Sequence, residues 1–336
     1  MRWPVGLFLL MSVFSGVALA QSDPDWKICN ADDHDAAIAA CTRLIGNGKL
    51  SKKNLAIAYL NRGVSYERNG EYDKAIADAT FNIETDPREA AEGYFNRGFA
   101  YKKKGEIEKA LNDYNTAIKL KPTYIDPHTN RGVIFVQRGE YDRAIADHTK
   151  TIEIDPKYSK GYNNRGDAYR GKGDFDRAIT EYSKAIELEP KNAFYIADRG
   201  YIRFHKGDFG SAAEDLRQAL ALKDYAYAML FRYLARARAG ETAGPELEAN
   251  AGRLSNKNWP YAAIELLLGK RTPEATLPDA ADNDEKCEAH FYIGEWHLLR
   301  GNRTSAAGWL KLAQDTCPKG TTEYYAAVAE FKRLQP

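Results

Sequence analysis

A glycine returns along this chain at Gly63, Gly98, Gly132, Gly166 and Gly200, spaced by 35, 34, 34 and 34 residues. Twelve residues after each stands an alanine: Ala75, Ala110, Ala144, Ala178 and Ala212. Twelve further on, Pro87, Pro122, Pro156 and Pro190 close four of the repeats, and Asp224 stands where the fifth proline would fall. A chain that repeats itself at this interval grows its core along one axis, so its 336 residues need not divide into two or three globular domains. Each position in the period has a mechanical reason. The glycine and the alanine let two antiparallel helices approach, and Tyr66, Tyr101, Phe135 and Tyr169 fill the space beside them. Gly70-Glu71, Gly139-Glu140, Gly173-Asp174 and Gly207-Asp208 end the first helix on a residue that tolerates positive φ and begin the second with an acid near its positive end. The proline stops the second helix. One such hairpin cannot bury its apolar face alone, so the repeats must stack.

This pattern of glycine, aromatic, alanine and closing proline resembles the tetratricopeptide repeat (TPR) family over residues 54–224, in five repeats. The resemblance implies an all-α solenoid of helical hairpins, wound as a right-handed superhelix, whose concave face holds a peptide of a partner protein. Residues 21–53 read as a partial repeat, because DAAIAACTRLI from Asp35 matches DKAIADATFNI from Asp73 in register. Residues 225–284 read as divergent helical hairpins: Tyr225 to Ala239 with Pro245 to Leu254, then WPYAAIELLLGK with TPEATLPDA. The period returns within 285–336, at Gly294, Ala306 and Pro318, and TTEYYAAVAEFKRL then reads as a capping helix with Tyr325, Val328, Ala329 and Leu334 on its apolar side. A Trp-Pro segment and a cysteine-initiated FYxGE helix make residues 258–334 resemble periplasmic TPR proteins related to new lipoprotein I (NlpI). That resemblance implies a scaffold that docks cell-wall hydrolases and proteases. The lipidated cysteine of that family has no counterpart here.

Residues 1–20 have the layout of a secretory signal peptide: Arg2, an apolar run from Val5 to Val17, and Ala18-Leu19-Ala20 before a polar stretch. The run is shorter than the roughly 20 residues of a spanning helix, so we expect cleavage after Ala20, no transmembrane anchor in the mature chain, and a periplasmic location. Cleavage removes Arg2 and no acid, which leaves 47 residues of each sign. So even a balance argues against nucleic acid and anionic membrane as main partners. In an oxidising compartment four cysteines form two disulfides by default. Residues far apart in a stack of repeats are far apart in space, which predicts the pairs Cys29–Cys41 and Cys287–Cys317. The chain has no C-x-x-C. His290 and His297 with Glu295 do not make H-E-x-x-H, and His34, His128, His148 and His205 are dispersed. Neither a metal nor a cofactor is expected.

Counting the repeated glycine as position eight exposes two more columns. Positions seven and 23 pair Arg62 with Asp78, Arg97 with Asp113, Arg131 with Asp147, Arg165 with Glu181, and Arg199 with Asp215. A cation 16 residues ahead of an acid in every repeat reads as a structural ion pair between the two helices. Position six holds Asn61, Asn96, Asn130, Asn164 and Asp198. An Asn side chain both donates and accepts, so this column either pairs with the backbone of an extended peptide or braces its own helices. Positions five and nine would set side-chain preference: Leu60 and Val64, Phe95 and Phe99, Thr129 and Val133, Asn163 and Asp167, Ala197 and Tyr201. None is basic, which excludes the carboxylate clamp that some TPR domains use. Arg68, Lys102, Lys103 and Arg170, at positions 12 and 13, form a mildly basic rim. No G-x-S-x-G, phosphate-cradling glycine loop or paired-carboxylate motif is present outside the repeat positions. The sequence therefore predicts a non-catalytic adaptor of the bacterial cell envelope that binds a protein or peptide, with a homo-oligomeric assembly module, such as a homodimer, as the alternative.

Overall fold

The structure, a computed structural model, describes residues 24–85, 87 and 90–335. The segment read as a signal peptide lies outside them. The described residues form helices and no strand. A short pair opens the chain, α1 (Pro24–Cys29) and α2 (His34–Gly46). Five hairpins follow, each of a first and a second helix: α3 (Lys52–Arg68) and α4 (Tyr72–Thr85), α5 (Ala91–Lys103) and α6 (Ile107–Leu120), α7 (Ile125–Gln137) and α8 (Tyr141–Ile154), α9 (Ser159–Gly171) and α10 (Phe175–Leu188), α11 (Ala193–Lys206) and α12 (Phe209–Leu222). The divergent stretch contains α13 (Ala226–Arg238), α14 (Gly244–Ala251), α15 (Tyr261–Leu267), α16 (Pro273–Thr276) and a 3-10 turn at Leu277–Asp279. A last hairpin, α17 (Asn283–Leu299) and α18 (Arg303–Thr316), precedes α19 (Thr322–Leu334). The chain falls into two compact units, residues 1–130 and 131–336, with the division inside α7.

In the N-terminal unit, α2 packs on α3 and α4 on α5, so each hairpin lays its second helix against the first helix of the next. Cys29 and Cys41 are joined by a disulfide, and their small cluster with Trp26, Ala40, Leu44 and Ala58 gives the short first pair a core. In the C-terminal unit one large core runs from Ile196 to Ala327. A second disulfide joins Cys287 in α17 to Cys317 at the end of α18.

The repeated glycine is required by what faces it. A Cβ on Gly166 would lie 2.7 Å from the Tyr182 ring, and one on Gly132 would lie 2.6 Å from His148. In the first repeat the facing residue is Ala79, and a Cβ on Gly63 meets nothing closer than 3.3 Å. Gly166→Ala is therefore expected to destabilise by about 1–3 kcal/mol, the usual cost of overpacking. Gly63→Ala is expected to cost much less. Urea unfolding of both variants checks this, and equal costs would contradict it. At the hairpin turns Gly70, Gly105, Gly139, Gly173 and Gly207 all adopt φ between 74° and 86°, the left-handed region that side chains disfavour. The acid after the turn behaves by length. Asp174 and Asp208 accept from the backbone N–H of Arg177 and Ser211, whereas Glu106 and Glu140 make no such cap.

The last helix departs from the sequence reading. Its buried residues are Glu323, Tyr325, Ala326, Ala327 and Glu330, so two acids lie inside while Val328 and Ala329 are only half-buried. Helical periodicity assumes one buried side, but α19 packs on α18 and also on α11 and α17. Partners on the second side make the acids affordable there: Tyr292 donates to Glu323 at 3.0 Å, and Arg238 donates to Glu330 at 2.6 Å.

Candidate functional site

The first helices are held in place by the arginine column. Nε and Nη2 of Arg62 bond both oxygens of Asp78 at 2.7 and 2.8 Å, and Arg97, Arg131 and Arg199 grip Asp113, Asp147 and Asp215 in the same two-pronged way. Hydrogen bonding to Asp78 raises Arg62 further above its ordinary pKa, although burial opposes it; Arg97 behaves alike with Asp113. Glu181, one methylene longer, meets Arg165 through Nη2 alone, and the Arg165 Nε is left buried without a partner. The remaining nitrogen, Nη1, reaches back to a hydroxyl on the preceding second helix: Arg62 to Thr42 (3.1 Å), Arg97 to Thr80 (3.3 Å), Arg165 to Thr149 (3.1 Å) and Arg199 to Ser183 (3.1 Å). Sequence reasoning missed these hydroxyls at position 25, whose run is broken by Asn115 in the second repeat and Arg217 in the fifth. Arg62, Arg97, Arg165 and Arg199 thus each tie three helices together and hold the rotation of the helix that presents the neighbour at position six.

Those neighbours have different fates. Asn61 donates to Asn30 at 2.6 Å. Asn130 donates to its own helix at the Asp126 carbonyl and accepts from Lys102 at 2.9 Å. The Asn164 Nδ2 and the Asn163 Oδ1 are closed to solvent and have no hydrogen-bond partner. Burial first, and then repulsion from Asp167, pushes the Asp198 carboxyl up to about 7, against Arg170 and an Asn163 hydrogen bond. Asp167 itself accepts from Tyr182 at 2.9 Å and pairs with Arg170 at 3.1 Å. Asn96 is half-exposed and makes no hydrogen bond, and unlike Asn164 it has no amide atom closed to solvent.

Asn96 sits on α5 among side chains suited to a ligand. Phe95 and Phe99 are half-buried with ring centroids 6.2 Å apart, and Tyr124 meets Phe95 edge-on at 5.3 Å. The ammonium groups of Lys102 and Lys103 lie 5.5 and 5.4 Å from the Phe99 ring. An apolar step, a free donor–acceptor pair and two cations therefore follow one another along one helix. In the C-terminal unit the equivalent face is occupied by the chain itself. Tyr325 of α19 meets Phe175, His205 and Arg170 at 6.4, 6.1 and 5.8 Å, and Arg333 donates to the His205 carbonyl. Tyr201 is only 4% exposed and packs edge-on to Phe231 at 5.0 Å, so it belongs to the core. Val133 is half-buried on α7. Among the described residues no group of three or more His, Cys, Asp or Glu is placed to hold a metal, and no helix is long and apolar enough to cross a membrane.

Family models described as TPR repeat match residues 98–137 and 132–173, and models described as tetratricopeptide repeat match 159–192 and 30–80. Among solved structures, one of MamA is 31% identical over 52% of this chain and 98% of its own, with a TM-score of 0.44. PilF of Pseudomonas aeruginosa is 13% identical over 83% of this chain and 99% of its own, at 0.50. PilW, a widely conserved type IV pilus biogenesis factor, is 17% identical over 60% and 96%, at 0.52. No curated protein sequence matches the chain.

Proposed function

We propose that this chain, which belongs to the tetratricopeptide repeat family, is a non-catalytic interaction scaffold that holds an extended segment of a partner protein on the α5 face. The observation that carries this reading is the free, half-exposed Asn96 amide between Phe95 and Phe99, with Lys102 and Lys103 one turn on. An amide can bond a peptide backbone without regard to its sequence, and the aromatic pair and the lysines add preference for an apolar residue followed by an acid. The two disulfides suit an oxidising compartment such as the periplasm. A hydrolase or protease of the cell envelope fits as the partner through the resemblance of residues 258–334. The test is a crosslinking capture from native envelope with wild type, Asn96→Ala and Asn164→Ala, disulfides intact. A specific partner should be lost by about tenfold or more with Asn96→Ala and kept with Asn164→Ala, whose amide nitrogen is closed off. Equal capture by all three would overturn the reading.

One observation favours self-assembly as a second reading. Phe194 and Leu222 are 49% and 46% exposed beside each other around an open cleft, and large apolar side chains grouped on a surface mark interaction sites. Elution volume on a sizing column, with Phe194→Glu as the control, tests it: a dimer that this variant splits would support it, and a monomeric wild type would remove it.

A further inference from the structure

A second polar site is built within the C-terminal unit, where α11, α13, α17 and α19 meet around a cavity of about 210 Å³. Its walls carry Tyr201, Tyr225, Tyr227 and Phe231, and two acids, Glu288 and Glu323, line it. The Glu288 Oε2 accepts from Tyr227 at 2.9 Å and from the Trp259 indole at 2.7 Å. The Glu323 Oε1 accepts from Tyr292 at 3.0 Å, and Glu323 is only 4% exposed. Neither acid has a described cation within ion-pair distance, and Arg170 acts on Glu323 only from farther off. Their donors are all neutral. Tyr201, only 4% exposed, lines the same cavity beside Tyr225, and its buried hydroxyl makes no hydrogen bond within 3.5 Å.

Carboxyl groups taken out of water without a counter-charge are costly, and aromatic faces add a further negative potential toward the space they enclose. The complement is a cation. A hard metal ion would need six or more oxygens, whereas most of this wall is ring. We infer that the cavity binds an organic ammonium ion, its nitrogen held by Glu288 and Glu323 and its alkyl portion against Tyr201 and Phe231. The volume is about seven times the ~30 Å³ share of one water, enough for the end of a lysine side chain or a small amine. Burial pushes both carboxyls up, Glu323 to about 8 and Glu288 in the same direction; a bound cation restores their ionised forms. The inference goes beyond the peptide face, since neither Asn96 nor its neighbours line this cavity.

Calorimetric titration of the full, oxidised chain with n-butylammonium, with N-acetyl-lysine-N-methylamide and with uncharged n-butanol tests it. Saturable binding of an ammonium probe but not of butanol is expected, weakened about tenfold or more by Glu288→Gln and by Glu323→Gln. Binding of the free amine only, or of the lysine derivative only, names the source, and either supports the site. Failure of both ammonium probes at millimolar concentration, equal binding of butanol, or wild-type affinity in Glu288→Gln would overturn it. Should Glu323→Gln not fold, Glu288→Gln carries the decision alone. Asn96→Ala, in the other compact unit, is titrated alongside: its butylammonium binding should equal wild type whether or not peptide capture is lost, which separates the two proposals.

Discussion

Replacing Asp215 with alanine is expected to destabilise the C-terminal unit by about 3–5 kcal/mol, the range for removing one partner of a buried ion pair. Asp215 has a side chain only 1% exposed and accepts from two arginines, Arg199 through Nε and Nη2 and Arg203 through Nη1 at 2.7 Å. Its loss leaves two largely buried guanidinium groups facing a void. Asp215→Asn keeps the shape and loses the charge, so it should fall between alanine and wild type. Glu181→Ala should cost less than Asp215→Ala, because Glu181 is more exposed (13%) and engages Arg165 through one nitrogen. Urea unfolding followed by circular dichroism measures all three. A cost under about 1 kcal/mol for Asp215→Ala would show that the arginine column does not brace the helices.

The second large effect is on pH. Burial raises Glu295 and Glu323 to about 8 and Asp198 to about 7. The unfolded chain loses these protons near pH 4 to 4.5, while the folded chain keeps them until pH 7 to 8. Stability is therefore lost as pH rises through that window, at about 1.4 kcal/mol per pH unit for each proton of difference. Two histidines act on the other side. Burial lowers His148 to about 4 and His205 to about 3, so below about 6.5 the unfolded chain takes up protons that the folded chain refuses, and their contribution to stability falls toward acid pH. Between about pH 4.5 and 6.5 the three acids outweigh the two histidines, so the C-terminal unit should lose stability as pH rises from about 4.5 to 8, more steeply above about 6.5 where the histidine contribution ends. Unfolding midpoints from pH 4.5 to 8.5 check this, with Glu295→Gln expected to remove part of the alkaline loss. A stability that rises from pH 6 to pH 8 would contradict the assignment.

The helices of the repeats were legible because each position in the period answers to one short-range need: Gly173 turns the chain, Asp174 caps α10, and Gly166 yields space to Tyr182. The arginine–acid pairs were legible because both partners lie inside one hairpin, at a fixed separation of 16. The Thr42, Thr80, Thr149 and Ser183 contacts were harder to see, since each joins one repeat to the next. Least legible was α19. Its sequence shows where an apolar stripe runs, but whether Glu323 and Glu330 are buried depends on Tyr292 and Arg238 arriving from helices far along the chain. The asparagine column illustrates the same limit. Its spacing is uniform, yet Asn61, Asn130 and Asn164 differ in their surroundings because Asn30, Lys102 and the closed packing around Asn164 follow no period.

The α5 face is proposed to receive a peptide. This is tested most directly by selecting peptides from a random displayed library on the oxidised protein and mapping their footprint by amide hydrogen exchange and crosslinking. Selected sequences should carry an apolar residue beside an acid, with a footprint over Phe95–Lys103 that Asn96→Ala abolishes. Peptides that footprint around Phe194 and Leu222 instead, or that bind Asn96→Ala as tightly as wild type, would contradict it.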